Sequence, residues 1–222
     1  MVRGESVSLA FRTDADVDAA APRIAAHVAA GNLLAYPTET VYGLGSAPTV
    51  PALDHLARLK GRSPGKPFLL LVDGLEMLEA TGLVLDAHAR ALAREFWPGP
   101  LTLVLRGGEG KLPDRLRGGE GGIAVRWTSH RGIARLLRHL GHPLTSTSAN
   151  HPGQPAAPGP EAIEQSFPEA IAAGELLILD GGTLGNVPPS TLVDCTGALP
   201  RMVREGAIPR HELRRRAGSM AP

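Results

Sequence analysis

GNLLAYPTETVYGLGSAPTVPALDHLARLKG, residues 31–61, decides the fold class. LLAYPT reads as a buried strand and VYGLGSA as a second extended piece. VPALDHLARLKG is a helix, because Leu53, Leu56 and Leu59 recur at three-residue spacing. FLLLV (68–72) follows, an apolar run short enough for a strand covered on both faces. A strand–strand–helix–strand succession is the signature of an α/β protein.

The same alternation extends outward. Residues 14–30 form an alanine-rich amphipathic helix, with Ile24 and Val28 four apart and Gly31 after its end. LDAHARALAREF is a helix stopped before Pro98. LTLVLR (101–106) and GIAVRWT are strands, HRGIARLLRHLG is a helix, and PLTSTSAN is a strand running into a turn. GPEAIEQSF is helical. LLILDGG, STLVDCT and RMVRE are three late strands, whose succession predicts antiparallel pairing. The fold expected is a mixed, twisted sheet with helices. GGEGKLPDRLRGGEGG reads as an exposed, mobile loop. No internal repeat or composition break divides the chain. We therefore expect one domain over 1–208 and a short basic C-terminal tail over 209–222, a helix or a frayed end.

Composition narrows the function classes. The 222 residues are 43% hydrophobic and 20% charged, a globular balance with room for a sizeable core. A net charge of +1 does not mark a nucleic-acid binder, and 4% aromatic content argues against base-stacking recognition. Cys195 is the single cysteine, so no internal disulfide forms and zinc spacing is impossible. The N-terminus lacks a signal-peptide apolar run, and no stretch approaches the roughly 20 apolar residues of a membrane span. A soluble, cytoplasmic protein with no membrane partner is expected. No GxxxxGK[ST], GxGxxG or GxSxG pattern occurs.

What remains is a set of polar segments at strand ends. In YPTETVYGLGS, Thr38, Glu39 and Thr40 lie between apolar stretches, as a capped β-turn or as a cleft edge. LKGRSPGKP carries Lys60, Arg62 and Lys66 with no interleaved acid, and these are two of three lysines beside 20 arginines. Three cations within seven residues repel one another. A polyanion such as a triphosphate relieves that repulsion, and a solvated basic loop is the alternative. In TSTSAN, Ser146, Ser148 and Asn150 alternate and share one face of an extended strand. A ligand or local backbone bonds can satisfy that face. Arg126 interrupts an apolar strand, which is costly unless an anion or a structural carboxylate meets it. Ser190 opens a strand, and Arg204 precedes a glycine.

Together, AYPTETVYGLGS, LKGRSPGKP, FWPGPLTLVL, IAVRWTSH, TSAN, LDGG, STLVD and VREGAI resemble the YrdC family of threonylcarbamoyl-AMP synthases, in family order over about residues 33–208. The resemblance implies a mixed twisted sheet with a large concave, often basic, face. It implies that L-threonine, bicarbonate or carbon dioxide, and ATP yield threonylcarbamoyl-AMP and pyrophosphate. Mg2+ is expected with the ATP, and downstream proteins then transfer the group to tRNA. It assigns Lys60, Arg62, Ser148, Asn150 and Arg204 to ATP, with Lys60 and Arg62 as the catalytic pair. It assigns Thr38, Arg126, Ser146 and Ser190 to threonine and its carbamate, with no protein metal ligand. The chain departs from the pattern at Thr147, where proline is common, at Trp127 and Thr128 within RxPxH, in the histidine-free FLLLV, and at PAAP (155–158). The competing readings are a paralogue of this fold that binds RNA or nucleotide without this activity, one that adenylates a different carbamoylated acid, and a non-enzymatic module within a complex.

Overall fold

The computed structural model describes residues 8–62, 66–217 and 221. Its strands are β1 (Ser8–Ala10), β2 (Leu33–Tyr36), β3 (Gly43–Gly45), β4 (Leu69–Val72), β5 (Leu83–Val84), β6 (Leu101–Gly107), β7 (Ile123–Trp127), β8 (Leu144–Ser148), β9 (Leu176–Asp180), β10 (Thr191–Asp194) and β11 (Arg201–Arg204). Its helices are α1 (Asp14–Ala29), α2 (Val50–Lys60), α3 (Leu75–Ala80), α4 (Ala87–Phe96), α5 (Arg131–Leu140), α6 (Pro160–Ser166), α7 (Pro168–Ala172) and α8 (Arg210–Ala217).

Local chemistry sets the helix bounds. Thr13 and Asp16 form a reciprocal capping box at the start of α1. Gly61 ends α2 in the left-handed conformation, φ 58°, which costs glycine no Cβ clash. Lys60 is therefore the last helical residue and is held by the helix end.

The strands form one mixed sheet in the order β1-β9-β2-β3-β8-β4-β7-β6-β10-β11, with β5 paired to β6. The expected antiparallel pairing of the late strands holds only for β10 with β11. β9 lies parallel to β1 and β2, and β10 lies parallel to β6. The physical reason is the connection. Residues 181–190 carry the chain from β9, near one end of the sheet, to β10, near the other. Seven strand steps of about 4.8 Å make roughly 34 Å, close to the reach of ten extended residues. The segment must cross as a chord over a hollow face.

Alternation along the strands builds two cores. Leu33, Leu70, Val72 and Ile178 join the first cluster with α2 and α4, while Leu34, Leu71, Leu177 and Leu179 join the second with α1 and α5. On β6, β7 and β10, Leu101, Leu103, Leu105, Ile123, Val125 and Val193 enter the first cluster. Their alternate neighbours, Thr102, Val104, Ala124, Arg126 and Leu192, line a cavity instead. Helices α1 and α5 thus cover half of one sheet face, and the other half stays open.

The glycine-rich loop is not wholly exposed, because part of it is anchored to the core. Leu112 and Leu116 are buried in the first cluster, and Arg117 donates to the Gly107 and Gly121 carbonyls. Helix α8 packs on α4: Leu213 is buried, and the Arg216 guanidinium lies 5.8 Å over the Phe96 ring. No helix among the described residues is long and apolar enough to cross a membrane.

Candidate active site

The uncovered half-face is the floor of a cavity of about 800 Å³, within the size range of small-molecule sites. Four walls surround it. The 38–43 turn and β8 with its following turn stand on one side, Arg62, Lys66 and Pro67 at one end, Ser190 and Arg204 at the other, and the crossing segment 184–189 above. Pro155–Pro158 close the remaining edge with small apolar surfaces.

Of the nine residues assigned by resemblance, eight line this one cavity: Thr38, Arg62, Arg126, Ser146, Ser148, Asn150, Ser190 and Arg204. Lys60 stands one step back. Lys60 is 5% exposed, and its ammonium donates to the Ser148 carbonyl at 2.6 Å and to the Asn150 carbonyl and Oδ1. Ser148 Oγ donates to Asn150 Oδ1 at 2.7 Å. Lys60 therefore clamps the Ser148–Asn150 turn, which fixes how that turn meets the cavity. Burial, then the charge of Arg62, push the Lys60 amine down to about 8.

Arg62 is anchored on three oxygens. Its Nε and Nη2 donate to the Lys66 and Pro67 carbonyls at 2.9 and 2.6 Å, and Nη1 donates to Thr147 Oγ1 at 3.0 Å. Its guanidinium lies 4.7 Å over the Phe68 ring. Burial lowers its pKa, as burial and then Arg126 lower that of Arg204. Arg204 donates to the Ser190 carbonyl at 2.8 Å, and Ser190 Oγ meets Thr102 Oγ1 at 2.8 Å.

Arg126, 3% exposed, donates to Thr40 Oγ1 at 3.2 Å, and Thr40 meets Thr38 Oγ1 at 3.1 Å. The structural-carboxylate alternative is partly realised. Glu39 Oε1 lies 3.6 Å from Arg126 Nε, and both atoms lack a hydrogen-bond partner. The other Glu39 oxygen accepts from Thr128 Oγ1 at 2.7 Å. Glu39 offsets the charge of Arg126 without occupying its donors.

Three features escaped the sequence reading. Thr102 follows the two-residue alternation of LTLVLR, which could have revealed it. Thr147 sits one position off the Ser146/Ser148 alternation and turns to Arg62 instead. Segment 184–189 has no local signal, because its role comes from the crossing. Gly45 shows why a glycine stands beside the site: a Cβ there would stand 2.0 Å from the Thr145 carbonyl oxygen.

Arginines, hydroxyls and amides converge on the cavity, and among the described residues no carboxylate lines it. Fold and site thus define an α/β protein with an anion-receiving cleft on a mixed sheet. A family model for Sua5/YciO/YrdC, described as telomere recombination, matches residues 26–206. The chain belongs to that family. It is 39% identical over 186 residues to a Thiobacillus denitrificans protein named threonylcarbamoyl-AMP synthase, covering 83% of this chain and 96% of that one. It is 34% identical to a protein of the same name from Pyrococcus abyssi, covering 89% of this chain and 57% of that longer relative. The crystal structure of P. abyssi Sua5 complexed with L-threonine superposes with a TM-score of 0.85 at 30% identity, over 97% of this chain and 62% of that one. The E. coli YciO structure gives 0.78 at 29% identity, over 90% and 94%.

Proposed function

We propose that this chain is an L-threonylcarbamoyladenylate synthase, a nucleotidyltransferase forming threonylcarbamoyl-AMP and pyrophosphate from L-threonine, bicarbonate or carbon dioxide, and ATP. The observation that carries the reading is one cavity, with no carboxylate among its described lining residues, faced by Arg62, Arg126 and Arg204 at separate points of its wall. The relatives' names and the threonine-bound Sua5 structure support the same substrates.

The chemistry asks for little beyond positioning. The threonine nitrogen attacks carbon dioxide and loses a proton, giving a carbamate. A carbamate oxygen then attacks the α-phosphorus of ATP, the bond to the bridging oxygen breaks, and pyrophosphate leaves. Nucleophile and electrophile are both anions, so fixed cations must screen them and hold them in line. Arg126 takes the threonine carboxylate, a match of planar fork to planar acid. Thr38, Ser146 and Ser190 hold the amine and carbamate end. Arg62 and Arg204 meet the phosphates, and the turn clamped by Lys60 presents Ser148 and Asn150 to the nucleotide. No covalent enzyme nucleophile is needed. Among the described residues no His, Cys, Asp and Glu group could hold a metal. We read magnesium as part of the nucleotide substrate, held by phosphate oxygens and water.

The product is an activated acyl donor, consumed by transfer of the threonylcarbamoyl group to adenosine in tRNA. The buried Cys195 thiol and the lack of other cysteines support a cytoplasmic setting. Exchange of labelled pyrophosphate into ATP tests the reading. It should require both threonine and bicarbonate. Exchange without threonine, or none with both present, would point to a different acid or to a binding module.

A further inference from the structure

Thr147 stands immediately before the Ser148–Asn150 turn, and its hydroxyl has a partner. Arg62 Nη1 donates to Thr147 Oγ1 at 3.0 Å. The other two anchors of Arg62, the Lys66 and Pro67 carbonyls, belong to its own loop and lie four and five residues along the chain. Thr147 is the anchor from the sheet. It lies in β8 opposite Leu44, half-buried, at the wall of the cavity.

We propose that Thr147 is a positioning residue for ATP, tying the guanidinium of Arg62 to the rigid sheet so that its remaining donors face the phosphates. The proposal rests on the reading of Arg62 as a phosphate ligand. Physical reasoning supports the need for such a tie. A guanidinium held only by its own loop moves with that loop, and lost orientation weakens binding more than lost charge would suggest. The sheet hydroxyl couples Arg62 to Ser146 and Ser148, its neighbours on the same strand. A hydroxyl accepting from arginine also keeps its own O–H free to donate into the cavity. A valine side chain at this position would supply neither acceptor nor donor.

Three proteins decide the matter: wild type, Thr147→Val and Thr147→Ser. Valine keeps the β-branched shape in the strand, and serine restores the hydroxyl. ATP affinity by calorimetry and steady-state KM for ATP and threonine are measured on each. Thr147→Val should weaken ATP binding and raise the ATP KM by about 3- to 10-fold, the scale of one net hydrogen bond acting through the position of Arg62. Its threonine KM and melting temperature should match wild type, and Thr147→Ser should bind ATP within about twofold of wild type. Wild-type ATP affinity in the valine variant, or an equal loss in both variants, overturns the proposal. Failure of the wild type itself to bind ATP overturns the reading of Arg62 and the proposal with it. If valine raises the threonine KM instead, Thr147 serves the other substrate and the proposal is wrong.

Discussion

Arginine does two different jobs on the two halves of the same sheet face. Along the covered half, α5 presents Arg131, Arg135 and Arg138, and each meets an aspartate: Asp14 at 2.6 Å, Asp18 at 2.5 Å and Asp73 at 3.8 Å. The Asp18 hydrogen bond raises the Arg135 pKa, and Arg135 in turn holds the Asp18 carboxyl below its usual range. Along the open half, the hydrogen-bond partners of Arg62 and Arg204 among the described residues are carbonyls and hydroxyls, and burial lowers both pKa values. The first set carries its counter-ions in the sequence. The second set has none among the described residues, and an anion from solution is the partner we propose for it. Cations that pull one another's pKa down inside a cavity mark a binding site, and cations paired at a helix surface mark packing.

That contrast can be broken residue by residue. The largest effect belongs to Arg62→Ala, which should lower kcat/KM for ATP by about 10²–10³, the scale of losing one pre-positioned charge donor. Its melting temperature should stay near that of the wild type, as measured by calorimetry, because no protein carboxylate is orphaned. The next effect is a pH slope. Free Lys60 titrates at about 8 against an ordinary 10.5. A bound triphosphate favours its ammonium form, so between these values binding takes up a proton. ATP affinity should therefore fall as pH rises above about 8, by at most about tenfold per pH unit, with no slope from this group below that point. Calorimetry in buffers of low and high ionisation enthalpy reads the proton directly. The smallest effect is Arg135→Ala, which should leave kcat and both KM values unchanged, since its partner Asp18 is a solvated surface group.

Local chemistry was legible in the sequence, and long-range geometry was not. The α1 helix, the apolar β4 strand and the alternation of LTLVLR follow from periodicity within a few residues. The cations of LKGRSPGKP and the hydroxyls of TSTSAN announced themselves by their lack of local partners. The direction of β9 and β10 did not, because strand pairing depends on where residues 181–190 go, and nothing in GGTLGNVPPS specifies a crossing. The 107–122 loop was misread for a related reason. Its glycines suggest freedom, while two leucines, Leu112 and Leu116, tie it to the core. Lys60 was found but its place was not: a lysine at a helix end reads as a free charge until the Ser148–Asn150 turn is seen folded over it.

Thermal unfolding with inorganic tripolyphosphate reaches the core of the account, since this ligand offers the charge of ATP without its base or sugar. Saturating tripolyphosphate should raise the melting temperature of wild type and of Arg135→Ala alike, and raise it distinctly less in Arg62→Ala. An unshifted wild type, or equal stabilisation of Arg62→Ala and wild type, would show that the open half of the sheet face is not where the polyanion binds.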